Sequence, residues 1–221
     1  MIKIKRKFLV GALLFGIPTL LPAQGTPIDE ELSFSVQMSA GLPKSPDSFK
    51  DIWNPGIGFG AEARFHLSKF NALSVGVAVQ TFGLDRQNYL DSVGPLVGAT
   101  WEVIGGGTIQ TTVLTVNYVR YFARPGSRLD FYLIAGGGYY MECPKDIDIE
   151  ATIIVPGFPK SAFTVDADVP ENSPGLNGGA GVELKLSSRI ALAVDSRYHL
   201  IFSRSENTSF IAVSGGLWIR I

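Results

Sequence analysis

Apolar and polar residues alternate with a period of two from Leu32 onward, in one stretch after another. Leu32, Phe34, Val36, Met38 and Ala40 oppose Ser33, Ser35, Gln37 and Ser39. In the next stretch, Ile57, Phe59, Ala61, Ala63, Phe65 and Leu67 oppose Gly58, Gly60, Glu62, Arg64 and His66. Leu73, Val75, Val77 and Val79 then oppose Ser74, Gly76, Ala78 and Gln80. The clearest case is 175–202, where two runs meet at a tight Ser187-Ser188 turn. Ala180, Val182, Leu184, Leu186, Ile190, Leu192, Val194, Ser196, Tyr198 and Leu200 form one face. Gly179, Gly181, Glu183, Lys185, Ala191, Ala193, Asp195, Arg197 and His199 form the other. Strict alternation over such lengths predicts strands. A face of charges interspersed with glycine and alanine makes a poor core for a water-soluble protein. It suits a barrel whose outside meets lipid and whose inside is small and polar.

Eight strands follow from this pattern: 32–40, 56–67, 72–84, 108–122, 131–141, 175–186, 190–202 and 210–221. Their connections alternate long and short. Residues 42–55, 85–107, 142–174 and 203–209 are the long ones; 68–71, 123–130 and the Ser187-Ser188 turn are the short ones. Within the long ones, 96–104 reads as an extension of the fourth strand, and 142–174 as a hairpin projecting past the barrel rim around Pro156-Gly157-Phe158-Pro159. Even strand number and alternating loop length predict an all-β, eight-stranded antiparallel up-and-down transmembrane barrel with short periplasmic turns and long extracellular loops. Strands of about ten residues cross a bilayer with tilt, and after residue 23 no apolar run reaches the length of a membrane helix.

The first 23 residues read differently. Lys3, Lys5, Arg6 and Lys7 precede an apolar run from Phe8 to Leu21, and Leu21-Pro22-Ala23 offers a small-residue cleavage site before Gln24. This is the pattern of a secretory signal peptide, leaving 24–221 as the barrel domain. The chain is 46% hydrophobic with 25 glycines, in keeping with many close-packed strands. Without the four leader cations, 15 Lys and Arg face 20 Asp and Glu, so a nucleic-acid partner has no electrostatic support. Cys143 is the sole cysteine, which excludes an internal disulfide and a cysteine zinc cluster.

The strand rhythm, FYLIAGGGYY at 131–140, LNGGAGVELKL at 176–186 and the last strand together resemble the eight-stranded outer-membrane barrel family. That family includes the transmembrane domain of outer membrane protein A and outer membrane protein X. The resemblance spans nearly all of 24–221. Ser214, Gly216, Ile219 and Ile221 look like the carboxyl-terminal signal read by the barrel assembly machinery, with Ile221 where the family usually has an aromatic residue. The resemblance implies the outer membrane of a Gram-negative-type bacterium, outer-membrane lipid and the assembly machinery as partners, and a charge cluster that blocks the lumen.

Six inward charges, Glu62, Arg64, Glu183, Lys185, Asp195 and Arg197, sum to zero and predict a lumen salt-bridge network, since desolvated charges persist only when paired. Turn positions predict Gly181 opposite Asp195, Gly179 opposite Arg197, Ala78 opposite Glu62 and Gly76 opposite Arg64. His66 and His199 fall at different heights, too far apart to share a metal, and no nucleophile-elbow sequence accompanies either. The glycine clusters lack the strand-to-helix context of a phosphate loop. Phe65, Phe70, Tyr118, Tyr121, Phe122 and Phe131 near one end, and Tyr89, Trp101, Tyr139, Tyr140, Phe202 and Phe210 near the other, suit two interfacial girdles.

These features predict a non-enzymatic outer-membrane barrel with a largely plugged lumen and no cofactor or metal. Its role would be structural, surface-contacting or narrowly ion-conducting, with 85–107 and 142–174 as the places for an extracellular ligand. Three other readings stand beside it: a lipid-modifying enzyme of the outer leaflet, adhesin-type binding through the 142–174 hairpin, and a soluble lipocalin-like barrel with its apolar face inside.

Overall fold

A computed structural model describes residues 32–93, 99–122, 127–153, 161–166, 169–204 and 206–221; the leader at 1–23 and the junction at residue 24 lie outside them. Eight antiparallel strands close into a barrel. They are β1 (Leu32–Ser45), β2 (Gly56–Ser68), β3 (Asn71–Gly83), β5 (Thr108–Tyr121), β6 (Leu129–Pro144), β9 (Glu171–Lys185), β10 (Ile190–Ile201) and β11 (Thr208–Arg220). Each pairs with its sequence neighbour within the barrel set, and β1 closes on β11 from Ser33↔Arg220 to Ser45↔Ser209. Each strand exceeds the roughly 9–11 residues that cross a bilayer with tilt. Among the described residues no helix is long and apolar enough to span a membrane.

The faces divide as the alternation predicts. Val36, Ile57, Val75, Val116, Phe131, Leu184, Val194 and Leu217 are exposed on the outside, whereas Glu62, Arg64, Glu183 and Asp195 are buried in the lumen. That is the inverse of a soluble barrel. The outward band is a continuous apolar belt, far larger than the isolated apolar patches a water-exposed surface carries.

One hairpin register differs from the sequence expectation. Glu62 pairs with Gly76 and Arg64 with Ser74, two residues away from the expected Ala78 and Gly76. The turn is tighter than assumed: Ser68 already faces Asn71 across a bulge, and the Ser68 hydroxyl accepts from Asn71 Nδ2 at 2.9 Å. A shift of two keeps every side chain on its face.

The long connections hold more structure than the sequence pattern conveys. β1 continues through Ser45, and α1 (Asp47–Ile52) follows Pro46, with Asp47 in its first turn and Lys50 in its last, suiting the helix dipole. α2 (Arg86–Val93) starts at Asp85, whose carboxylate caps the Asn88 amide at 3.1 Å. β4 (Ala99–Gly106) does not extend the barrel. It pairs with β7 (Ile147–Ile153), and β7 with β8 (Ser161–Val165), in a separate three-stranded sheet. The step from β4 into β5 needs glycine: Gly106 and Gly107 have φ of 70° and 69°, and a Cβ on Gly106 would meet the Asp146 carbonyl oxygen at 1.9 Å. Leu84, Val103 and Ile149, flanked by Ile52, Trp53, Tyr89 and Leu90, form a small core between this sheet and the helices.

Candidate functional site

The lumen is filled in layers, and its middle layer is ionic. Glu62, Arg64, Glu183, Asp195 and Arg197 project inward because alternation puts them on the face opposite Ala61, Ala63, Leu184, Val194 and Tyr198. Arg64 Nε donates to Glu62 Oε1 at 3.0 Å, and Arg64 Nη1 donates to the Tyr121 hydroxyl at 2.7 Å. Arg64 Nη1 also lies 3.7 Å from Glu183 Oε2. Arg197 Nη2 reaches across to Glu62 Oε2 at 2.7 Å, while its Nε donates to Asp195 Oδ1 at 3.0 Å. Glu62 thus sits between two guanidinium groups. Lys185 stands apart from this group, paired with Asp130 toward the short-turn end.

Several members of the cluster went unread in the sequence. Asp130 balances Lys185, and Arg220 Nη2 donates to Glu183 Oε1 at 2.5 Å. The Arg64 guanidinium carbon lies 3.9 Å above the Trp218 ring and 4.8 Å from that of Tyr132. The Tyr132 hydroxyl donates to Asp195 Oδ2 at 2.9 Å. Strand parity was the available signal. Arg220, Trp218, Gly216 and Ser214 share one face of β11, and Asp130, Tyr132 and Ile134 share one face of β6. Close packing fixes the layer: a Cβ on Gly181 would lie 2.5 Å from Tyr132 Cζ and 2.7 Å from Asp195 Cβ.

Above the ions lies a cavity of about 60 Å³ lined by Gln37, Ser39, Thr115, Arg197, His199 and Ser214, with room for a few water molecules. An aromatic plug closes the lumen beyond it. His199 stacks on Phe210 at 4.6 Å between ring centres, and its Nδ1 is 2.9 Å from the Tyr140 hydroxyl. Phe82 meets Phe210 edge-on at 5.6 Å, and Phe49 of α1 meets Phe82 at 5.2 Å. α1 is therefore a cap over the long-loop mouth, held by one buried phenylalanine.

The aromatic girdles need correction accordingly. Phe65, Phe70, Tyr118, Phe122 and Phe131 at the turn end and Tyr139 and Phe202 at the loop end face outward. Tyr121, Tyr140 and Phe210 point into the lumen, because each falls on the inward parity of its strand. Tyr89 and Trp101 pack in the core of the outer sheet. His66 lies at the turn end, with Nε2 3.3 Å from Ser33 Oγ, remote from His199. Among the described residues no group of three metal-ligating side chains converges. Ser214 and Gly216 line the inner face of β11, while Ile219 and Ile221 are exposed outside.

No family model matches this chain, and no curated protein does. Solved structures do. Neisserial surface protein A aligns over 86% of this chain and 97% of its own, with 14% identity and a TM-score of 0.51. OprG of Pseudomonas aeruginosa covers 87% and 96% at 12% identity and a TM-score of 0.49. Ail of Yersinia pestis covers 87% and 100% at 12% identity and a TM-score of 0.45. The shared feature is the fold: this chain is an eight-stranded antiparallel barrel of the kind found in bacterial outer-membrane proteins.

Proposed function

We propose that this chain is an integral outer-membrane barrel with a sealed lumen, and that it works through its outer surface rather than as a wide channel or an enzyme. One observation carries the reading: apolar side chains cover the outside of the closed barrel while paired ions and aromatic rings fill its middle. Such a molecule is stable only where its exterior meets hydrocarbon. In this reading 1–23 directs export and is removed near Ala23, leaving 24–221 as the barrel. Ser214, Gly216, Ile219 and Ile221 engage the barrel assembly machinery. The short turns face the periplasm, and α1, α2 and the β4–β7–β8 sheet face outward, placing ligand contact in 85–107 and 142–174.

Adhesin-type binding is favoured by the separate outer sheet. In it β8 pairs only with β7 among the described residues, leaving an edge of Ser161–Val165 with Phe163 and Val165 exposed. The lipid-modifying reading gains no such support: the His199 Nδ1 contact is with Tyr140, inside the plug and away from the outer surface.

The deciding experiment is extraction and gel migration. The protein should leave membranes only with detergent, and should run faster unheated than boiled, as closed barrels do. Release into plain buffer would end the membrane reading.

A further inference from the structure

Beyond the plug, on the loop side, lies a cavity of about 490 Å³ between α1 and the rim of β5, β6, β9 and β11. Phe49, Ile52, Trp53, Leu84, Ile109 and Ile147 supply an apolar wall. The facing wall carries Glu142, Glu171, Ser203 and Glu206. We propose that this cavity binds a cationic amphiphile, an ammonium group on an apolar body, with the charge held between Glu142 and Glu171.

The pairing registers place the two carboxylates together. Gln80 faces Thr111, Thr111 faces Glu142, and Glu142 faces Glu171, so four inward polar side chains form one row across β3, β5, β6 and β9. Gln80, whose Oε1 accepts from Ser39 Oγ at 2.9 Å, lines the small cavity on the other side of the plug, so of this row Glu142 and Glu171 are the members that line the larger cavity. The carboxylates receive only modest satisfaction from the protein: Ser203 Oγ donates to Glu142 at 3.4 Å, and Ser173 Oγ and the Arg204 amide donate to Glu171 at 3.2 and 2.6 Å. No cationic side chain pairs with either one among the described residues. Burial and then the neighbouring Glu171 push the Glu142 carboxyl up from its ordinary range, the sign expected where a positive charge is missing.

Everywhere else in the lumen the carboxylates meet arginine or lysine. The two glutamates at the mouth are the departure, and they are the ones a ligand can reach. The apolar wall gives the body of the ligand its binding energy, and the carboxylates reject anions and fix orientation. The inference is independent of which side of a membrane the mouth faces.

Dansylcadaverine, a primary ammonium on an apolar dye, tests it with the intact protein in phosphatidylcholine nanodiscs, read by dye fluorescence against empty discs. Saturable binding is expected, with the N-acetylated and therefore uncharged dye weaker by about tenfold, the scale of a charge-assisted hydrogen bond. Glu142→Gln or Glu171→Gln should each weaken the amine and leave the acetylated dye unchanged. Folding of each variant is checked by its heat-modifiable migration. Equal binding of both dyes, unchanged binding in both variants, or no saturable signal above empty discs would overturn the proposal.

Discussion

Arg64 has no route to water, and its charge is met by groups from β2, β5, β6, β9 and β11: Glu62, Tyr121, Tyr132, Glu183 and Trp218. Removing one member of a buried ion cluster strands the others, at a cost of about 3–5 kcal/mol. Lys185, about a third exposed at the turn end, pairs with the buried Asp130, so its loss strands one carboxylate beside the opening it vacates, whereas loss of Arg64 strands Glu62 and Glu183 in the closed lumen. Arg64→Ala should therefore lower the urea midpoint of unfolding far more than Lys185→Ala, and equal midpoints would remove Arg64 from its central place. Glu142 behaves in the opposite sense. It stands above the outward apolar band, which on β6 ends at Tyr139, and burial and Glu171 raise its titration point in the fold. Its ionised form is penalised: the cost is absent below the ordinary glutamate range and full above the raised value. Glu142→Gln should stabilise the barrel at neutral pH and flatten the gain that the wild type shows as pH falls through that window. A variant less stable at neutral pH would contradict this. A carboxylate retained at a cost to the fold is what a ligand site requires.

At the scale of elements, the barrel and its cap differ in how they are built. Every barrel strand pairs with two others of the barrel, and none of those pairings uses β4, β7 or β8. Deleting 147–166 should leave a closed barrel with unchanged heat-modifiable migration. It should also expose Val103 and Trp101, which pack against Ile149 and Phe163; binding of a hydrophobic dye to the variant reports that exposure. Loss of the compact unheated form would show that the cap props up the barrel. The same division explains what the sequence disclosed. Alternation in β1, β2, β3, β9 and β10 is driven by two solvents, lipid outside and a packed lumen inside, so it is written in every second residue. Among the described residues the cap has a small one-sided core of three buried members, too little to impose a period on 85–107. α2 is mostly polar, its helical start marked by the Asp85 cap rather than by an apolar stripe. In β6 the run Gly136-Gly137-Gly138 erases the contrast between faces, which is why Asp130 and Tyr132 escaped notice although their parity with Tyr140 fixes them inward.

For the molecule as a whole, the lumen carries two seals in series. The ion cluster of Glu62, Arg64, Asp195 and Arg197 crosses the middle, and the plug of Phe49, Phe82, Tyr140, His199 and Phe210 crosses the loop-side third. The small cavity of about 60 Å³ lies between them. An eight-stranded barrel has little interior left once side chains fill it, so either seal alone suffices to stop ions. Current through barriers in series is set by the larger one, and lowering one barrier leaves the other in control. Phe49→Ala, which uncaps the mouth, and Arg197→Ala, which breaks the bridge between Glu62 and Asp195, should each be as silent as the wild type in planar bilayers. The double variant should show small discrete steps, since both barriers are then lowered together. Steady conductance in Phe49→Ala alone would mean that the ions yield once the plug is loosened. Conductance in Arg197→Ala alone would mean that the rings already part on their own. Either result would reduce two seals to one and make this barrel a gated pore.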